Sequence, residues 1–166
     1  MYRKTNPFLT LTELRYKNIP LLMEATKDDD GVISEILRIH LVTEYLLEEL
    51  IRLVLEKNAE PVLSIGLKYS QKLELASKLE LIEEFNLLPD YVVGSLRKLN
   101  KLRNRVAHRL NEFVNDAEIL ELFVGMESEL LYVELMENGQ VIALRRYLSF
   151  IFGYMLPKFE RIENEI

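Results

Sequence analysis

Leucine, isoleucine and valine recur every three or four residues along most of the chain, which is the spacing of a buried helix face. Turn-forming residues interrupt this pattern at 28–31, 58–61, 86–90 and 137–140. We therefore predict an all-α bundle of about five to six helices, over residues 9–27, 32–57, 69–85, 90–113, 115 or 116 to 136, and 141–163. Residues 62–68 fit either a loop or a short helical turn.

The 137–140 turn leaves one alternative open near the end of the chain. Residues 130–135 are aliphatic and aromatic, and the Asn138-Gly139 pair that follows is a strong hairpin signal. A small C-terminal hairpin would join 130–135 to 141–144. No repeat of 20–50 residues occurs, so we expect residues 1–166 to form a single helical domain.

Composition excludes several classes of site. The 166 residues include no Cys and two His, which excludes disulfide scaffolds, thiol nucleophiles and iron–sulfur clusters and disfavours a multi-His metal site. The longest apolar stretch, residues 147–156, is about half of what a membrane-spanning helix needs, and no targeting segment is visible. We expect a soluble cytoplasmic protein with no metal, no cofactor and no membrane contact.

The net charge of −6 hides an uneven distribution. Residues 92–110 contain no acid, and they carry His108 and the cations Arg97, Lys98, Lys101, Arg103, Arg105 and Arg109. Removing these six cations from the 21 basic residues leaves 15 against 27 acids, a net charge of −12 elsewhere. The total therefore does not argue against a nucleic-acid partner, because one helix concentrates the positive charge.

A helical wheel at about 100° per residue divides this window into faces. The predicted core face holds Leu96, Leu99, Leu102, Val106, Leu110 and Phe113. A narrow polar stripe beside it holds Asn100, Asn104 and His108. Arg103 falls inside the apolar face, where a guanidinium is costly unless it is paired or lies at a wet interface.

Arg103, Asn104 and His108 together carry the chemistry that metal-free RNA cleavage needs. An imidazole transfers protons near neutral pH, and a guanidinium stabilises a phosphorane-like charge through paired hydrogen bonds. Asn104 would position the scissile phosphate or the guanidinium. The RNA backbone would be bound by the surrounding cations Arg97, Lys98, Lys101, Arg105 and Arg109.

The stretch from Lys98 to His108 resembles the HEPN superfamily of all-helical domains, whose signature is an Arg, usually followed by a polar residue, and a His that four to six residues separate from the Arg. Arg103, Asn104 and His108 match it with four residues between Arg and His. The resemblance implies a HEPN-like core over about residues 32–136, with the N- and C-terminal helices packing on it. It also implies a homodimer in which two motif helices build one metal-independent ribonuclease site. In one toxin subgroup a Tyr precedes the motif His by two residues, and here that position is Val106.

A second pair of polar residues falls on a predicted apolar face. His40 and Glu44 lie one turn apart on the helix over 32–57. They could bond each other internally, or Glu44 could cross to the motif helix and orient Arg103. We assign His40, Glu44 and Asn100 supporting roles at the site.

Two functions remain open from the sequence. The first is a HEPN-type endoribonuclease, acting as a toxin, an antiviral effector or an RNA-processing enzyme, with RNA, a second copy and an antitoxin or regulatory protein as partners. The second is an inactive HEPN-like regulatory or protein-interaction module, similar to mannitol-repressor-type domains. In that case Arg103 and His108 would be dimer-interface groups.

Overall fold

The computed structural model describes residues 31–79, 88–108, 113–126 and 128–165, with all their side chains except those of residues 128 and 156–165. These residues contain no β-strand, so the all-α prediction is confirmed for them. The helices are α1 (Val32–Leu55), α2 (Ala59–Leu63), α3 (Tyr69–Lys78), α4 (Asp90–His108), α5 (Asp116–Leu122), α6 (Ser128–Asn138) and α7 (Gln140–Glu165), with a 3₁₀ turn at Glu56–Asn58. The predicted helix over 9–27 lies outside the described residues.

Helix α1 is the centre of the fold and packs against α3, α4 and α7. Its buried side chains include Ile36, Ile39, Leu46, Leu47 and Ile51, which repeat at the spacing of a helix face. The helix ends two residues before the predicted boundary, where Glu56 takes a positive φ of 48° and donates its N–H to the Arg52 carbonyl. Because this central helix is covered on several sides, some of its polar side chains are buried against other helices, among them His40 and Thr43.

Three helices meet at a buried hydroxyl pair. Ser95 on α4 donates to the Leu122 carbonyl at the end of α5 over 2.6 Å, and its Oγ lies 2.7 Å from the Tyr147 hydroxyl on α7. Burial raises the pKa of Tyr147, and the hydrogen bond with Ser95 opposes that effect in part. These bonds fix the N-terminal half of α4 against α5 and α7.

The hairpin alternative is wrong, because residues 130–135 and 141–144 lie in α6 and α7. Leu131 and Leu135 are buried at a spacing of four, so the helical period prevails over the aliphatic and aromatic composition that left a strand possible. Gly139 takes a φ of 82° and donates its N–H to the Leu135 carbonyl, while its own carbonyl accepts the first bond of α7 from Ala143. The Asn-Gly pair thus joins two helices instead of two strands.

The single helix predicted from 115 or 116 to 136 is also wrong. It divides into α5 and α6, since the chain turns at residues 123–126 and Gly125 adopts a φ of 88°. The predicted start is correct: Asn115 accepts from the Glu118 N–H over 3.0 Å, and the Glu118 carboxylate accepts from the Asn115 N–H over 3.1 Å. This reciprocal capping box defines the beginning of α5.

Helix α4 ends at His108, whereas the sequence pattern predicted an end at 113. Phe113, predicted on its core face, is 83% exposed, because it follows the helix and no longer shares that face. Residues 109–112, including Arg109 and Leu110, lie outside the described residues. None of the helices in the described part of the chain has the length and apolar character needed to cross a bilayer.

Candidate functional site

The apolar face predicted for α4 is confirmed where the helix is described. Leu96, Leu99, Leu102 and Val106 are each at most 6% exposed and pack in the core beneath α1 and α3. Because this face is fixed inward, the polar stripe runs along the edge where α4 meets α1 and then continues to the surface. The burial of four leucine and valine side chains therefore positions Asn100, Asn104 and His108.

Asn100 bonds the buried His40, which places two of the predicted supporting residues in direct contact. His40 on α1 is 4% exposed, and its Nε2 lies 3.0 Å from Asn100 Oδ1. An amide oxygen only accepts, so Nε2 carries the proton and donates. Burial lowers the pKa of His40, the hydrogen bond that His40 donates to Asn100 raises it, and the positive charge of Arg103 lowers it further.

The contacts of His40 extend to α3. Its ring stacks on the Tyr69 ring with centroids 4.2 Å apart, and the Tyr69 hydroxyl lies 3.0 Å from Thr43 Oγ1. Burial raises the pKa of Tyr69 far above its usual range, so this hydroxyl stays protonated. Tyr69 is not among the residues predicted at the site, although its position on the same helix face as Leu73 and Ala76 indicates that it points inward.

Glu44 has a different partner from either one predicted. Its carboxylate accepts from Lys72 Nζ over 2.7 Å, and Lys72 also bonds Glu48. Glu44 therefore neither pairs with Arg103 nor bonds His40; it joins α1 to α3 through a lysine that is 8% exposed. A lysine on the apolar face of α3 was the signal in the sequence, because a buried ammonium requires an acidic partner.

Arg103 is half-buried, and its Nη1 donates to Asn104 Oδ1 over 3.0 Å. Among the described residues no carboxylate pairs with this guanidinium. The amide thus holds the guanidinium without neutralising it. An arginine in this state offers its remaining N–H groups and a full positive charge to an anion.

His108 is the last residue of α4, and its side chain is exposed. Five residues of helix separate it from Arg103, which corresponds to about 7.5 Å along the axis. Asn104 lies one turn before His108, about 40° around the helix. The guanidinium, the amide and the imidazole therefore share one end of α4, with the imidazole open to solvent.

Most of the cations predicted to bind RNA backbone are occupied by neighbouring helices. Arg97 pairs with Glu74 on α3 at 3.0 Å, and Arg105 pairs with Glu118 on α5 at 2.6 Å. Lys98 donates to the backbone carbonyl of Glu121 over 3.0 Å. Because of these contacts, the cations of residues 92–110 do not form one continuous basic surface. The sequence alone could not show this.

Lys101 is the exception within the part of α4 that the structure describes. Its side chain is exposed and forms no hydrogen bond or ion pair there. Arg109 lies outside the described residues. Within the described residues, three cations of the window form no ion pair with an acid: Lys98, which a backbone carbonyl holds, Lys101 and Arg103.

The described residues hold no group of three or more carboxylate or imidazole side chains placed to bind a metal ion. The chemical groups available at the C-terminal end of α4 are accordingly a guanidinium, an amide, an imidazole and an ammonium.

Comparison with protein-family models, with curated proteins and with solved structures finds no match for this chain.

Proposed function

We propose that the chain is a metal-independent endoribonuclease of HEPN type. The observation that carries the proposal is the guanidinium of Arg103, which no carboxylate of the described residues neutralises and which Asn104 holds on the same helix end as the exposed imidazole of His108. A phosphodiester is the anion that uses both groups, because its cleavage needs charge stabilisation at phosphorus and proton transfer at oxygen. The HEPN-like sequence around Arg103 and His108 supports the same conclusion.

The reaction would use the RNA's own 2′-hydroxyl as nucleophile. His108 takes the 2′ proton while the 2′-oxygen forms a bond to phosphorus, and the bond from phosphorus to the 5′-oxygen breaks once that oxygen is protonated. Arg103 stabilises the charge on the non-bridging oxygens, and Asn104 holds the guanidinium in place. The products are a 2′,3′-cyclic phosphate and a 5′-hydroxyl.

A homodimer follows from the number of proton carriers. The reaction needs one group that accepts a proton and one that donates a proton, and each α4 has one imidazole. Two copies of α4 facing each other would supply both, with Lys101 of each copy placed to bind the RNA backbone. A cytoplasmic role as a toxin, an antiviral effector or an RNA-processing enzyme is compatible with this activity, and a toxin would require an antitoxin partner.

The test compares RNA cleavage by the wild-type chain and the His108→Ala variant in excess EDTA. We expect the variant to lose cleavage by about 10²–10⁴-fold, the usual contribution of a general acid or base. Arg97→Ala is the matched control, because Arg97 is an exposed cation of the same helix that is already paired with Glu74. Equal cleavage by the wild type and His108→Ala would overturn the proposal.

The alternative is an inactive protein-interaction module, and the ion pairs of Arg97 and Arg105 favour it. A helix whose cations are bound by Glu74 and Glu118 presents less free charge to RNA than its sequence indicates. Light scattering after size exclusion, combined with the cleavage assay, separates the two functions. A stable dimer or a protein complex that cleaves no RNA would support the module.

A further inference from the structure

Helix α6 has apolar side chains on two of its faces. One face buries Leu131 and Leu135 against the rest of the fold, where α6 packs on α7. The other face leaves Tyr132, Val133 and Met136 at 51%, 45% and 51% exposed. Helices that are apolar around most of their circumference are normally covered, so the second face calls for a partner.

The exposed face forms one wall of an open groove of about 650 Å³ between α5 and α6. The groove is lined by Leu120, Phe123, Val124, Gly125, Glu129, Tyr132 and Val133. We call it the α6 groove. Along α6 its lining residues and Met136 occupy positions 129, 132, 133 and 136, which span about two helical turns. This is the length over which one bound helix presents its anchor side chains.

The turn that shapes this groove requires glycine. Gly125 has a φ of 88°, a conformation that other residues rarely adopt. A Cβ at this position would lie 2.6 Å from the Cβ of Tyr91 on α4. The turn is therefore seated directly on α4.

The groove lies in the most acidic part of the chain. Residues 113–144 contain seven acids and no Lys, Arg or His. Glu129 lines the groove, and Glu121 and Glu137 are exposed on the same two helices. None of these three carboxylates forms an ion pair within the described residues, whereas Glu118 and Glu134 pair with Arg105 and Arg146.

We propose that the α6 groove binds an amphipathic helix of another protein, with aliphatic or aromatic anchors flanked by Lys and Arg. The apolar lining accepts the anchors, and the carboxylates of Glu121, Glu129 and Glu137 complement the basic flanks. A second copy of the chain fits less well, because two acidic rims would face each other and like charges repel. The binding does not depend on whether α4 cleaves RNA.

The experiment titrates the full chain with a synthetic peptide of about 16 residues, long enough to form a stable helix when bound. The peptide carries Leu and Phe at positions i, i+3, i+4 and i+7 and Lys or Arg at the flanking positions. A second peptide keeps the anchors and replaces Lys and Arg with Glu. Isothermal calorimetry at low and high salt should show at least about tenfold tighter binding of the basic peptide, and a weaker preference at high salt.

Variants locate the binding. Val133→Asp places a charge in the groove and should weaken the basic peptide by at least about tenfold. Ile65→Asp is the matched control, since Ile65 is 75% exposed and lies outside the groove. Glu129→Lys tests the charge separately and should shift the preference toward the acidic peptide. Circular dichroism checks that each variant keeps its helix content.

Equal binding of the two peptides, or binding that Val133→Asp leaves unchanged, would overturn the proposal. The oligomeric state measured by sedimentation supplies a further result that would contradict the proposal. If the wild type is a dimer, Val133→Asp is a monomer and neither peptide binds, then a second copy occupies the groove.

Discussion

The buried pair of His40 and Asn100 predicts a specific dependence of stability on pH. Because the folded state lowers the pKa of His40, the unfolded chain binds a proton more readily than the folded chain does. The contribution of neutral His40 is therefore complete above the unfolded pKa of about 6.5 and is lost as the pH falls below that value. Below the folded pKa the loss stops, since both states are then protonated.

Proton linkage sets an upper bound on the change in the free energy of unfolding that His40, a side chain only 4% exposed, can cause. While only the unfolded state takes up the proton, the free energy of unfolding falls by about 1.4 kcal/mol per pH unit. Between pH 7.5 and 5.5 the wild-type chain should therefore lose up to about 1.4 kcal/mol more than a chain that has no ionisable group at position 40.

The assay is urea unfolding of the wild type and His40→Gln at several pH values. The carboxylates titrate in both chains, so the difference between the two free energies of unfolding isolates the contribution of His40. Glutamine keeps a donor for Asn100 and does not titrate. Because the chain has two histidines, proton NMR gives one imidazole signal for each, and the signal lost in His40→Gln identifies His40. Equal pH dependence in the two chains, or a His40 signal that titrates above pH 6.5, would refute the reasoning.

Two further predictions concern helix packing. Replacing Lys72 with Met removes the described ion-pair partner of Glu44 and leaves Glu48 with Arg52 alone, so the free energy of unfolding should fall by about 1–3 kcal/mol in urea titrations. Lys78→Met, at an exposed ion pair, should cost less than about 1 kcal/mol, and equal losses would contradict a structural role for Lys72. Gly125→Ala should lower the thermal midpoint more than Gly66→Ala. Both glycines have positive φ, but an added Cβ meets Tyr91 only at Gly125. Equal shifts of the thermal midpoint in the two variants would show that the close approach to Tyr91 does not constrain the turn at Gly125.

The buried face of α4 could be predicted because it depends on local periodicity. Leu96, Leu99, Leu102 and Val106 repeat at helical spacing, and their burial determines where the polar stripe lies. The start of α5 was readable for a similar reason, since Asn115 and Glu118 form a capping box within four residues. Both features can be predicted because the residues that determine them lie close together in the sequence.

The partners of the charged residues could not be predicted, because they come from other helices. Arg97 and Arg105 lie in an acid-free window, yet Glu74 and Glu118 reach them from α3 and α5. The pairing of Glu44 with Lys72 depends in the same way on how α1 and α3 pack. A wheel shows that a charged residue faces inward but not which residue of another helix meets it.

The breaks in helical structure were predicted only in part. The Asn138-Gly139 signal correctly marks a turn, but the type of element on each side depends on burial of Leu131 and Leu135. The turn at Gly125 was missed, because an isolated glycine within a helical pattern does not by itself end a helix. Its positive φ and its contact with α4 become visible only in the folded chain.

The most direct test of the central claim is to identify the ends of the RNA products formed in excess EDTA. A metal-independent reaction through the 2′-hydroxyl predicts 2′,3′-cyclic phosphate and 5′-hydroxyl ends from the wild-type chain. Arg103→Met, which keeps a long side chain and removes the charge, should reduce their formation by about 10²–10³-fold. Absence of these ends with the wild type, or their undiminished formation with Arg103→Met, would contradict the proposed endoribonuclease function.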